Sequence, residues 1–148
     1  MKNKIVGLAP FLLFSHQVLA ADVINHKSPY CGCCTAWTKH MQGEGFTVEE
    51  KLHDDMNNIK KELGITPQLA SCHTAEINGY IFEGHIPAKD IKAFLANPPK
   101  GAKGLAVPGM PIGSPGMENG TQKQAYTVYA FNQDGQVFEY QTYPKSNR

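Results

Sequence analysis

No stretch of this chain is long and apolar enough to span a bilayer. The apolar run Ile5 to Phe14 covers about ten residues, where a spanning helix needs about twenty. A basic run is also missing, and 14 Lys and Arg nearly balance 13 Asp and Glu, so the chain lacks the electrostatic footprint of a nucleic-acid binder. Internal repeats and low-complexity tracts are absent, which sets aside solenoids and extended linkers. Paired Cys-x-x-Cys knuckles are lacking too: there is one such pair, Cys31 and Cys34, plus two odd cysteines. That is a poor match to a structural zinc site built around one tetrahedral ion.

What is present begins at the N-terminus. Lys2 and Lys4 precede the short apolar run, and Val18-Leu19-Ala20 places small residues where signal peptidase cuts. This pattern predicts a secretory signal over residues 1–20. Residues 21–148 then form one compact domain by size. Losing Lys2 and Lys4 from the 14 basic residues, against 13 acidic ones, moves the formal charge from +1 to near −1.

Periodicity predicts an α/β layer fold. Asp22 to Lys27 reads as a strand ending at the turn Ser28-Pro29-Tyr30. Ala36, Trp37, His40 and Met41 have helical spacing after the cysteines, and Gly43 and Gly45 close that helix. Phe46 to Leu52 suits a second strand, and His53-Asp54-Asp55 caps a helix over 56–63, stopped by Gly64. Ile65 to Thr74 reads as a loop carrying Cys72. Glu76 to His85 reads as strand or hairpin around Asn78-Gly79, and Pro87 starts a helix reaching Asn97. Residues 101–120, rich in Gly and Pro, are expected to be one long loop. Ala125 to Phe131 and Gln136 to Tyr143 alternate around Asn132-Gln133-Asp134-Gly135, a C-terminal β-hairpin signal.

The chemistry centres on four cysteines. In an oxidising compartment, four cysteines ordinarily suggest two disulfides. Here Cys31, Cys33 and Cys34 crowd together, and of the three pairings one needs a vicinal Cys33–Cys34 bond and another a cramped Cys31–Cys33 ring. Only Cys31–Cys34 with Cys33–Cys72 is comfortable. A strand, a turn and Cys-x-x-Cys opening a helix resemble the active-site run of thioredoxin-like oxidoreductases, where the helix N-terminus stabilises a thiolate. Cys33 departs from that pattern by standing where those enzymes usually carry proline.

Crowded thiolates repel unless a cation sits among them, and soft sulfur selects copper(I) or zinc. Adjacent Cys33 and Cys34 point in different directions, which a polynuclear copper(I) cluster tolerates because thiolates bridge. Four thiolates would be neutralised by four copper(I) ions, whereas one zinc(II) leaves a net negative charge in a partly buried site.

Over residues 23–140 the chain resembles the CopG-like periplasmic copper-resistance proteins. The resemblance rests on Ser28-Pro29-x-Cys31-Gly32-Cys33-Cys34 with Trp37 and His40, Ser71-Cys72-His73-Thr74, Gly84-His85-Ile86-Pro87, Gly104 to Pro111 and Gly113 to Glu118. It implies a thioredoxin-like fold, copper(I) held by Cys31, Cys33, Cys34 and Cys72, a periplasmic location, and service beside a copper efflux system.

Secondary candidates surround these four. His73 and His85 flank the expected site and suit either ligation or orientation of a ligand. Met110 and Met117 offer thioethers, a soft donor type suited to copper(I), although methionine also fills cores. His40 reads as a hydrogen-bonding helix residue, His26 as a weaker candidate near the turn, and Trp37 as core. Three rival functions stay open: a thiol-disulfide oxidoreductase with Cys31 attacking and Cys34 resolving, a copper redox enzyme, and a disulfide-stapled binding module without metal.

Overall fold

The computed structural model describes residues 22–147; the signal expected over residues 1–20 lies outside them. In chain order the elements are β1 (Val23–Lys27), α1 (Gly32–Gly43), β2 (Val48–Leu52), α2 (Met56–Glu62), β3 (Thr74–Ile77), β4 (Tyr80–Glu83), α3 (Ala88–Ala96), β5 (Ala102–Ala106), β6 (Gln122–Lys123), β7 (Tyr126–Asn132), β8 (Val137–Tyr143) and β9 (Ser146–Asn147). The chain is mixed α/β: a seven-stranded sheet runs β2-β1-β3-β4-β5-β7-β8, and β6 pairs with β9 separately. The pairs β1–β2 and β4–β5 are parallel, each joined by a helical crossover, as parallel neighbours require. No helix among the described residues is long and apolar enough to cross a membrane.

Alternation along the strands builds two cores. Phe82, Leu105 and Ala130 point to one face, where they meet Trp37 and Met41 of α1 and Ile91 and Phe94 of α3. Their chain neighbours Ile81, Ala106 and Phe131 point to the other, against Ile65 and Leu69 beyond α2. This period of two sandwiches the sheet between α1 and α3 on one side and α2 with its following loop on the other.

One expectation is corrected. The stretch from residue 101 is not all loop, because Ala102–Ala106 forms an interior strand between β4 and β7. The reason is Gly104. A Cβ there would lie 1.6 Å from the Ile81 carbonyl oxygen, so the residue that reads as a breaker is what lets two backbones meet. The β3–β4 connection is the Asn78-Gly79 turn, with both residues at positive φ, as a tight hairpin requires.

The α2 face carries a buried polar knot. Lys60 of α2 donates to Glu83 of β4 and to Thr74 Oγ1 of β3, the latter at 3.1 Å. Thr74 donates to the other Glu83 oxygen at 2.5 Å, and the Ser71 backbone N–H donates to Glu83 at 2.6 Å. Burial raises the Glu83 carboxyl, against the pull of Lys60, Thr74 and Ser71. The segment entering Cys72 is thereby tied to the sheet.

Candidate metal centre

Three cysteines arrive on one turn. The Ser28-Pro29-Tyr30 turn closes with Cys31 N–H donating to the Ser28 carbonyl at 3.1 Å. Cys31 is the N-cap of α1, in extended conformation, and Cys33 and Cys34 follow in the first turn. Their sulfurs therefore gather where unpaired helix N–H groups favour negative charge.

The fourth comes from the loop before β3. All four sulfurs, of Cys31, Cys33, Cys34 and Cys72, lie within 4.8 Å of one another. Cys31 and Cys34 form a disulfide, with Cα atoms 5.3 Å apart, while Cys33 and Cys72 are free thiols. Cys33 Sγ stands 3.5 Å from Cys31 Sγ and 3.8 Å from Cys72 Sγ. Cys34 is buried and the other three half-buried. Burial, then the neighbouring Cys33 charge and hydrogen bond, pushes the Cys72 thiol up to about 12, and Lys60 and Ser71 pull the other way. Cys72 therefore rests as the thiol unless a cation beside it stabilises the thiolate.

His73 follows Cys72 in the chain, and His85 packs against it. His73 is fully buried, its ring 4.5 Å from that of Trp37 and edge-on to His85 at 4.9 Å. Neither of its ring nitrogens has a hydrogen-bond partner among the described residues. His85 Nδ1 lies 2.8 Å from the Pro115 carbonyl oxygen; since a carbonyl only accepts, Nδ1 carries the proton and Nε2 a lone pair. That Nε2 is buried and also lacks a partner. Fixing one imidazole nitrogen by a carbonyl so that the other offers its lone pair is the usual preparation of a histidine ligand. Burial holds both pKa values down, His73 well below its usual range, which favours the neutral ring in each.

The methionines sit on turns anchored to the two cysteine segments. Gly109, next to Met110, donates its N–H to Ala70 at 3.1 Å and accepts from Ser71 Oγ at 2.5 Å. Gly116, next to Met117, packs against α1: at φ +86° a Cβ would lie 2.7 Å from the Cys33 carbonyl oxygen and 2.8 Å from Trp37 N. Met110 is 53% exposed and faces solvent. Other candidates go elsewhere. His40 accepts the Ala88 N–H at 3.1 Å, a helix-to-helix hydrogen bond. Trp37 is a core residue, fully buried and donating to the Ile86 carbonyl at 2.9 Å. His26 turns to Glu76 and His53.

The Lys60–Glu83 pair is not legible in the sequence: it has no local signature, because a lysine on a short amphipathic helix reads as a solvated charge. Tyr30, in the turn before Cys31, is 92% exposed.

A family described as "Protein of unknown function, DUF411" matches residues 69–117. A search of curated proteins finds no match. Among solved structures, one titled "Copper resistance protein copG- Form 2" is 41% identical with a TM-score of 0.79, covering 82% of this chain and 97% of that one. A second, "Copper resistance protein copG- Form 1", is 41% identical with a TM-score of 0.78, covering 82% and 96%. With that identity held along nearly the whole length of those structures, and the cysteine motif gathered into one group, the chain belongs to the family of the copper resistance protein CopG.

Proposed function

We propose that this protein is exported to the periplasm and there binds copper(I) for copper resistance, as a polynuclear thiolate cluster on Cys31, Cys33, Cys34 and Cys72. The observation that carries the reading is the convergence of four sulfurs within 4.8 Å from two separate chain segments. Soft thiolates in that number select copper(I), and the names of the solved relatives agree. Residues 1–20 are the cleaved signal and residues 21–148 the functional domain. The β1–turn–α1 arrangement supports a thioredoxin-like scaffold on which the third thiol has diverted redox chemistry toward metal. His73 and His85 serve as neutral imidazole donors or as orienting groups. Met110 and Met117, on turns anchored to the two cysteine segments, are the soft donors that would pass a copper ion toward an efflux system.

Copper binding by all four cysteines requires Cys31 and Cys34 to be reduced, since disulfide sulfur no longer offers a thiolate. The closed Cys31–Cys34 bond favours a second reading, a thiol or copper oxidoreductase using that pair. Anaerobic titration of the reduced protein with copper(I) against a chromophoric chelator tests the first. Several ions per chain are expected; saturation at one ion or none overturns the cluster.

A further inference from the structure

A second group of metal-type side chains lies on the other face of the sheet. His26 of β1, His53 just after β2 and Glu76 of β3 form a chain of contacts: His26 Nε2 to Glu76 Oε1 at 2.8 Å, and His26 Nδ1 to His53 Nε2 at 2.8 Å. A carboxylate only accepts, so His26 donates from Nε2, and its Nδ1 presents a lone pair to His53. This is the carboxylate–histidine arrangement that fixes tautomer and ring orientation in metal ligands. The backbone sets the three residues side by side. His26 is in register with Lys51 of β2 and Thr74 of β3, and His53 N–H donates to the Lys27 carbonyl at 3.0 Å. His26 is 7% exposed, and His53 and Glu76 are half-buried, so an ion reaches the pair from the His53 side.

The rings meet nearly end to end, with centroids 5.0 Å apart and facing nitrogens 2.8 Å apart, so both must turn before their lone pairs converge on one ion. Two neutral imidazole nitrogens suit copper(II), which binds nitrogen most tightly among divalent first-row ions. We propose that His26 Nδ1 and His53 Nε2 form a copper(II) site, oriented by Glu76 and completed by water, separate from the cysteine group. Binding exchanges the hydrogen bond between the rings for two coordinate bonds. His53 moves its proton from Nε2 to Nδ1, so both imidazoles remain neutral and no proton is released. The site uses none of the cysteines and stands or falls independently of the copper(I) reading.

The test uses chain 21–148 with Cys33→Ser and Cys72→Ser and the Cys31–Cys34 disulfide closed, which leaves no thiol to bind or reduce the probe. Copper(II) alone is titrated and followed by electron paramagnetic resonance. One ion per chain with coupling to two imidazole nitrogens is expected. His53→Gln should weaken binding at least tenfold and remove one nitrogen coupling, and Glu76→Gln should weaken it about 10–100-fold. Equal affinity and an unchanged spectrum in His53→Gln would overturn the proposal. If a variant fails to fold, the unsubstituted histidines decide. Substoichiometric copper(II) should broaden the His26 and His53 ring proton signals before those of His40, His73 and His85, and broadening that begins at any of those three overturns it.

Discussion

Ser71 gives its backbone N–H to the same Glu83 carboxylate that Lys60 holds from α2. One buried ion pair thus sets the position of the residue before Cys72. Replacing Glu83 by Gln removes the charge and leaves Lys60 without its partner, at a cost of about 3–5 kcal/mol for a broken buried pair. Adding Lys60→Met should recover much of that, since the Gln oxygen still accepts from Ser71. Urea unfolding of both variants checks it. If the double variant is no more stable than the single, the pair is not what the loop depends on.

Gly116 is pressed onto the cysteine turn at positive φ, so Gly116→Ala should clash with the Cys33 carbonyl and strain its own backbone. A loss of about 1–3 kcal/mol is expected. Copper retention should fall with it, because the turn that must yield carries Cys33. Thermal unfolding together with copper off-rates reads both; a variant as stable as the parent would show that the loop is not seated on α1.

Cys33→Ser separates the two functional readings. It leaves Cys31 and Cys34 as an intact pair and removes the sulfur lying between Cys31 and Cys72. Copper bound per chain should drop, while exchange with a model disulfide should persist or rise. Undiminished copper binding with brisk disulfide reduction in both proteins would favour the oxidoreductase.

The buried histidines set an acid limit on the metal-free fold. Burial lowers the pKa of His73, His85 and His40, so the unfolded chain binds their protons first. The stability they allow is complete above the unfolded value of about 6.5 and is lost as pH falls below it. The slope is about 1.4 kcal/mol per pH unit for each histidine that stays neutral when folded. His73, fully buried and without hydrogen-bond partners, is the strongest contributor. His73→Leu should therefore match or exceed the parent at pH 7 and lose about one proton's worth of slope between pH 6.5 and 5.5. Unfolding curves at those two pH values with identical slopes for the two proteins would refute it.

Local chemistry is what the sequence makes legible. Cys31 to Cys34 at a helix start, the Asn78-Gly79 turn and the start of α3 beside Pro87 are each dictated by neighbours along the chain, and each appears where those neighbours place it. Contacts between distant segments are not written locally. That Cys72 reaches the other three thiols depends on β3 lying beside β1, and Gly104 reads as loop because its use is the approach of another strand. His26 and His53 similarly look like scattered residues until parallel pairing of β1 with β2 sets them side by side.

The hydrogen bond from the Ala88 amide to His40 Nε2 makes one backbone position a gauge for a distant event. First-turn amides of a helix normally face water and trade their hydrogens for deuterium quickly, but this one is clasped by a side chain of the helix that carries the cysteines. Any tilt or unwinding of that helix as its thiols change partners would unclasp Ala88, and its deuterium uptake would report the change without a probe attached to sulfur.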